Sequence, residues 1–115
     1  AMYRTFARLE NVRVVWSLKE KVQAELKSQL QAQAGGHNNR NNAAAAVPGR
    51  DNVLMLSWAP QVALLNQPVV CAFLTHGGYN STFEAILSQT PMIAFPFFAD
   101  QPDNAARIVS AGIGV

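Results

Sequence analysis

Apolar and polar positions along the chain follow two periods. Val12 to Ser17 (VRVVWS) is a β-branched run. After it, Leu18, Val22, Leu26 and Leu30 recur every four residues, the stripe of an amphipathic helix. Asn52 to Ser57 (NVLMLS) predicts the next strand, and Pro60 opens a short helix through Asn66. Val69 to Thr75 (VVCAFLT) predicts a strand ending at His76-Gly77-Gly78, followed by a helix over Asn80 to Ser88. Met92 to Phe95 predicts another strand and Gln101 to Ala111 another helix, with Gly112 as its C-cap. Met2 to Glu10 reads as an opening helix with no strand before it, and Gly114-Val115 as the start of a further strand. From Gly35 to Gly49 the composition shifts to Gly, Asn and Ala (GGHNNRNNAAAAVPG), a low-complexity loop without apolar period.

Short apolar strands alternating with helices imply an α/β fold, a parallel sheet with flanking helices. Ligands of such sheets sit beyond the carboxyl ends of the strands. That topology singles out Trp58, the stretch His76 to Ser81, and Phe97 to Gln101.

Length and composition narrow the class. A chain of 115 residues, 50% apolar and 14% charged, fits one small globular domain and is too apolar for a disordered one. The longest apolar stretch, Pro91 to Ala99, holds two prolines and is far short of the roughly 20 residues of a spanning helix. Ala1 to Glu10 carries Arg4, Arg8 and Glu10 and lacks the pattern of a secretory signal. The single cysteine, Cys71, excludes an internal disulfide framework and, mid-strand, is expected in the core. The lone cysteine also leaves zinc no cysteine framework to use.

The net charge of +2 is unevenly spread: between Asn52 and Pro102 there is no Lys or Arg, and the only carboxylates are Glu84 and Asp100. A nucleic-acid partner would require a basic stripe, which this stretch lacks. The missing lysine also excludes a Walker A phosphate loop.

The stretch Phe73 to Glu84 (FLTHGGYNSTFE) carries the most chemistry. Gly77 and Gly78 permit close backbone approach, and Asn80, Ser81 and Thr82 stand at a helix start, where free N–H groups favour an anion. Without a nearby cation, a phosphate there would rely on N–H groups, hydroxyls and His76. The alternative is an ordinary glycine turn into a helix capped by Asn80 or Ser81. Ser81 to Glu84 also fits a capping box, and Asp100 a simple N-cap. As ligand groups, these two carboxylates would accept hydrogen bonds from vicinal sugar hydroxyls. Trp58 either packs in the core or stacks on a nucleobase. His37 has no partner at ligand spacing, and no Ser-His-Asp or Cys-His arrangement is present.

Three consecutive segments, WAPQVALLNQP, FLTHGGYNSTFEA and PMIAFPFFADQPDNAARIVSAGIGV, resemble the signature box of the family-1 UDP-glycosyltransferases. Trp58 to Gln101 spans 44 positions, the length of the full plant-type box, and the likeness extends over Asn52 to Val115. The HGG and DQPDN forms look closer to animal, fungal or bacterial members. The resemblance implies a GT-B architecture of two Rossmann-like domains, of which this chain would be an incomplete C-terminal, nucleotide-sugar-binding one. The N-terminal acceptor domain would be absent. The same resemblance implies that Trp58 stacks on uracil, Ala59 hydrogen-bonds its edge, Gln61 lies near the nucleoside and Glu84 holds the ribose hydroxyls. His76, Asn80 and Ser81 would contact the diphosphate, with Gly78 and Tyr79 lining that turn. Asp100 and Gln101 would bind hydroxyls of the transferred sugar, Gln101 resembling the glucose-type pattern. Two positions depart from the family: Gln67 replaces a usual His, and Gln89 stands where a Gly is common. If position 89 requires positive φ, Gln there costs roughly 1 kcal/mol.

The implied function is hexosyl transfer, with inversion, from a UDP-sugar donor (UDP-glucose or UDP-glucuronate) to the hydroxyl of a small lipophilic acceptor. No metal site and no cofactor beyond the donor substrate are implied. The catalytic His and its Asp partner belong to the other domain in this family, so no residue here is expected to be catalytic and the segment alone is expected to be inactive. The rival readings are a stand-alone nucleotide-sugar-binding subunit that needs a partner chain, and a remnant without binding. Localisation stays open between cytoplasm and membrane association, because some relatives carry an anchor beyond the corresponding point.

Overall fold

The computed structural model describes residues 2–34 and 52–115. The expected low-complexity loop, 35–50, lies outside the described residues. Two compact units are formed, Ala1–Ala59 and Pro60–Val115.

In the first unit, α1 (Met2–Phe6) is followed by β1 (Val14–Ser17), α2 (Glu20–Ala34) and β2 (Val53–Leu56). The strands pair in parallel, Val14 opposite Val53 through Ser17 opposite Leu56. The opening helix is shorter than the expected 2–10. Its end is claimed by a residue from far along the chain: Asn52 Nδ2 donates to the carbonyl oxygens of Phe6 (3.0 Å), Leu9 (3.2 Å) and Val12 (3.3 Å). Asn52 thus satisfies carbonyls at the helix end, and Asn11 at φ 61° lies outside right-handed helix. Phe6 also meets Trp16 of β1 edge-on, ring centroids 5.4 Å apart.

The second unit runs α3 (Gln61–Leu65), β3 (Phe73–Thr75), α4 (Tyr79–Leu87), β4 (Met92–Ala94) and α5 (Gln101–Ser110). Here β3 and β4 are parallel, Phe73 opposite Met92. The expected start of a further strand is present as a parallel bridge between Met92 and Gly114. It is cemented by Met92 N–H to the Ile113 oxygen (3.0 Å), Val115 N–H to Met92 (2.9 Å) and Ala94 N–H to Val115 (2.8 Å). The chains approach so closely there that a Cβ on Gly114 would collide with the Met92 carbonyl oxygen.

The strand expected over Val69 to Thr75 shrinks to its last three residues. Its partner β4 begins at Met92, and Pro91 before it has no N–H with which to lengthen the ladder. Cys71, expected in the core, is accordingly exposed. The core of this unit consists of Leu65, Ala85, Met92 and Ile108, ringed by Val70, Phe73, Ala94 and Ile113. Burying side chains such as Met92 and Ile108 contributes about 1.5–3 kcal/mol each. Thr90, also buried, donates its hydroxyl to the Leu65 oxygen (3.1 Å) and ties α3 to the end of α4.

Both long helices of this unit end in the same hydrogen-bonded motif. After α5, the Gly112 N–H bonds Val109 and the Ile113 N–H bonds Ile108, with Gly112 at φ 67°. Gly112 therefore follows the cap residue, Ala111, rather than being it. After α4, the Gln89 N–H bonds Ile86 and the Thr90 N–H bonds Ala85, with Gln89 at φ 54°. The conditional expectation for position 89 is met: this site takes left-handed backbone, and a glutamine occupies it.

Candidate functional site

The site starts where β3 stops. Thr75 is buried, and its hydroxyl oxygen accepts the Gly77 N–H at 3.2 Å, bending the chain out of the strand. Gly77 takes φ 82°, a conformation that strains any residue with a Cβ. Space is also lacking, since a Cβ would lie 3.3 Å from the backbone oxygen of Gln101 at the start of α5. His76 is exposed, with its ring beside Gly78, where an added Cβ would come within 2.5 Å of Nε2.

Gly78, not Asn80 or Ser81, is the N-cap of α4, and no side chain caps this helix. The first turn of a helix leaves its N–H groups without intrahelical partners. Here they belong to Tyr79, Asn80 and Ser81, while the Thr82 N–H is bonded to the Gly78 oxygen (3.0 Å). The capping-box alternative for Glu84 is also set aside. Its Oε2 accepts a hydrogen bond from Gln61 Nε2 at 2.7 Å, and the same amide lies 3.2 Å from the Ser81 hydroxyl. Gln61, Ser81 and Glu84 thus form one half-buried cluster on α3 and α4. Tyr79 and Asn80 are exposed, the Tyr79 ring packing on Phe83 with centroids 4.9 Å apart.

A second group forms after β4. Gln101 is 6% exposed, and its Oε1 accepts the N–H groups of Phe97 (2.9 Å) and Phe98 (3.2 Å). One side chain thereby shapes the loop that leads to Asp100, a loop that also holds Ala99 at φ 57°. Asp100 occupies the N-cap position of α5, as the simple reading expected, yet it makes no side-chain capping bond. Its Oδ2 instead accepts from Asn104 Nδ2 at 2.7 Å. Asn104, buried within α5, uses the same nitrogen to hold the Gly77 oxygen at 2.9 Å.

Sequence reasoning did not select Asn104 or Thr75. The available signal was spacing: Gln101, Asn104 and Ile108 share one face of α5 at i, i+3 and i+7, so two amides occupy core-facing positions.

Of the expected residues, Gln61, Ser81 and Glu84 are brought together in one cluster, and Gly78, Asp100 and Gln101 gather around the turn and the start of α5. Trp58 and Ala59 belong to the first unit. Trp58 is 74% exposed, so the core alternative does not hold, and Ala59 is half-buried. Gln67 is exposed and turns its amide back onto the Ala63 oxygen (3.0 Å). A cleft of about 480 Å³ in the first unit, lined by residues 9–13 and Asn52, includes none of the expected residues. Among the described residues, no group of three His, Cys, Asp or Glu side chains could hold a metal, and no helix is long and apolar enough to cross a membrane.

Parallel strands joined through helices, with polar side chains gathered beyond the carboxyl ends of β3 and β4, define a Rossmann-like α/β unit. The sequence matches the family described as UDP-glucoronosyl and UDP-glucosyl transferase over residues 9–115, and the chain belongs to that family. It is 45% identical over 64 residues to UDP-glucuronosyltransferase 3A1 of Mus musculus, covering 56% of this chain and 12% of that protein. Likewise it is 46% identical over 65 residues to UDP-glucuronosyltransferase 2A1 of Homo sapiens, covering 56% and 12%. The chain thus spans about an eighth of the length of these curated relatives. Among solved structures, the glycotransferase of kitacinnamycin superposes with a TM-score of 0.66 at 28% identity, covering 98% of this chain and 24% of that one. UDP-glucose: anthocyanidin 3-O-glucosyltransferase in complex with UDP also gives 0.66, at 30% identity, covering 90% and 20%. These neighbours are GT-B glycosyltransferases, and the chain has the α/β fold of part of one.

Proposed function

We propose that this chain is the UDP-sugar-binding part of a UDP-glycosyltransferase that moves a hexosyl group, with inversion, from UDP-sugar to the hydroxyl of a small lipophilic acceptor. The observation that carries this reading is the junction at the start of α4. Free N–H groups of Tyr79, Asn80 and Ser81 stand beside a carboxylate, Glu84, fixed by Gln61. The N–H groups suit a diphosphate in a stretch without lysine or arginine. A fixed carboxylate with an open oxygen suits a pair of ribose hydroxyls. Trp58, with its face exposed, offers a stacking surface for uracil.

In this reading His76 donates to a diphosphate oxygen, Gly78 and Tyr79 line the turn, and the Ala59 backbone meets the uracil edge. Asp100 accepts from the sugar hydroxyls, and Gln101, its Oε1 held by the Phe97 and Phe98 N–H groups, offers its Nε2 to a sugar oxygen. As the bond between anomeric carbon and diphosphate breaks, negative charge grows on the departing UDP. The N–H groups of α4, already oriented, stabilise that charge without reorganising. Deprotonation of the acceptor falls to groups outside these 115 residues, and the acceptor is held mainly by them. The donor is UDP-glucose or UDP-glucuronate. The function of the whole protein rests on the family and on UDP as it occurs in the structural neighbours.

Calorimetric or tryptophan-fluorescence titration of the folded chain with UDP tests the reading. Saturable binding is expected; no response at millimolar UDP, in a chain shown to be folded by circular dichroism, would overturn it.

A further inference from the structure

Asn104 lies 27 residues from Gly77 in sequence, yet its single amide nitrogen bridges the Gly77 carbonyl and the Asp100 carboxylate. Both partners are acceptors, so the orientation of the side chain is forced. Only the NH₂ group can face them, and its two hydrogens are both used. With both amide hydrogens engaged inside the protein, Asn104 has no donor left for a ligand. Its position fixes a relationship instead: the turn that carries His76 and Gly78 is locked to the carboxylate that opens α5.

Resting on the reading of this site as a UDP-sugar site, we propose that Asn104 is a positioning residue that couples the diphosphate end of the donor site to its sugar end. With Oδ2 held by Asn104, Asp100 presents Oδ1 to the ligand in one orientation. The exposed carboxylate would otherwise sample several rotamers, and ordering it on binding would weaken affinity. The second bond keeps the glycine turn at the height of that carboxylate, so that a diphosphate seated on α4 delivers its sugar to Asp100 and Gln101. Gly77 assists by lacking the Cβ that would push the turn away from the Gln101 backbone.

The test uses the full chain and two probes, UDP and UDP-glucose. Asn104→Asp is nearly isosteric but sets a carboxylate oxygen, an acceptor, against the two acceptors that the amide now serves; Asn104→Ser keeps one donor. The wild-type chain is expected to bind both probes and to gain affinity from the sugar. In Asn104→Asp the sugar's share is expected to fall about tenfold, as for loss of a hydrogen bond to a charged group. UDP itself should weaken less, and Asn104→Ser should lie between. Equal losses for UDP and UDP-glucose, or no loss in a folded variant, would overturn the positioning role while leaving the site reading intact. Failure of the wild type to bind UDP would overturn both. If neither variant folds, Asn104 is scaffolding alone and the proposal also fails.

Discussion

Gln61 and Glu84, 23 residues apart in sequence, are joined by a hydrogen bond of 2.7 Å that links α3 to the first turns of α4. The amide has a second acceptor in Ser81 (3.2 Å), so one glutamine orients both oxygen-bearing groups proposed to face the nucleoside and diphosphate. Replacing Gln61 by Ala frees Glu84 to swing into solvent. Because the pair is only half-buried, the loss in UDP affinity should be near the lower end for a charged hydrogen bond, about 1.5 kcal/mol. Gln61→Glu should be worse, since it sets one carboxylate against another. Calorimetry on the three proteins checks the order; equal affinity in all of them would show that Glu84 needs no such support.

Trp58 separates binding from stability. A side chain 74% exposed contributes little packing, so Trp58→Ala should leave the unfolding free energy within about 0.5 kcal/mol of wild type. If its face stacks on uracil, the same change should weaken UDP binding by about 1–3 kcal/mol. An unchanged Kd would remove the stacking role.

Gln89 offers the converse case, a change in stability with none in binding. It holds φ 54° in the turn after α4, where Gly112 holds φ 67° in the equivalent turn after α5. Glycine has no Cβ to strain there, so Gln89→Gly should stabilise the chain by about 1 kcal/mol. In a domain of this size that raises the melting temperature by about 4–8 °C. UDP affinity should not move. A lower melting temperature would mean that the glutamine side chain contributes more than the backbone strain removes.

That turn was readable only through the resemblance, in which a Gly is common at position 89; the other elements were readable from local pattern. Local apolar period and turn residues made α3, α4, α5, β2 and β4 legible to within about two residues at their ends. What was lost is non-local. Nothing near Cys71 says that its strand partner begins only at Met92, so the apolar run VVCAFLT looked like strand throughout. Nothing near Asn104 says that Gly77 waits 27 residues upstream. Gln101 was legible as a candidate but not as the residue whose Oε1 shapes the loop before it. The capping-box alternative for Glu84 fails for a related reason. Ser81 and Glu84 have the right spacing, but a partner from another helix, Gln61, competes for both.

The charge distribution constrains which donor this segment can favour. From Pro60 to Val115 the only Lys or Arg is Arg107, in the last turn of α5. Asp100 precedes the first turn of the same helix, about 10 Å away along its axis at 1.5 Å per residue. A glucuronate carboxylate placed near Asp100 and Gln101 would therefore meet a like charge, with no cation of this unit at pairing distance. Attraction at 10 Å across solvent is largely screened at physiological ionic strength. The chain by itself should bind UDP-glucose at least as tightly as UDP-glucuronate, and the difference should shrink as salt is raised. Competition of the two nucleotide sugars for the folded chain, followed by fluorescence, checks this. A several-fold preference for UDP-glucuronate would show that this segment carries its own carboxylate-binding group. The expected result instead assigns that group to residues outside 60–115, and with it any selection for glucuronate.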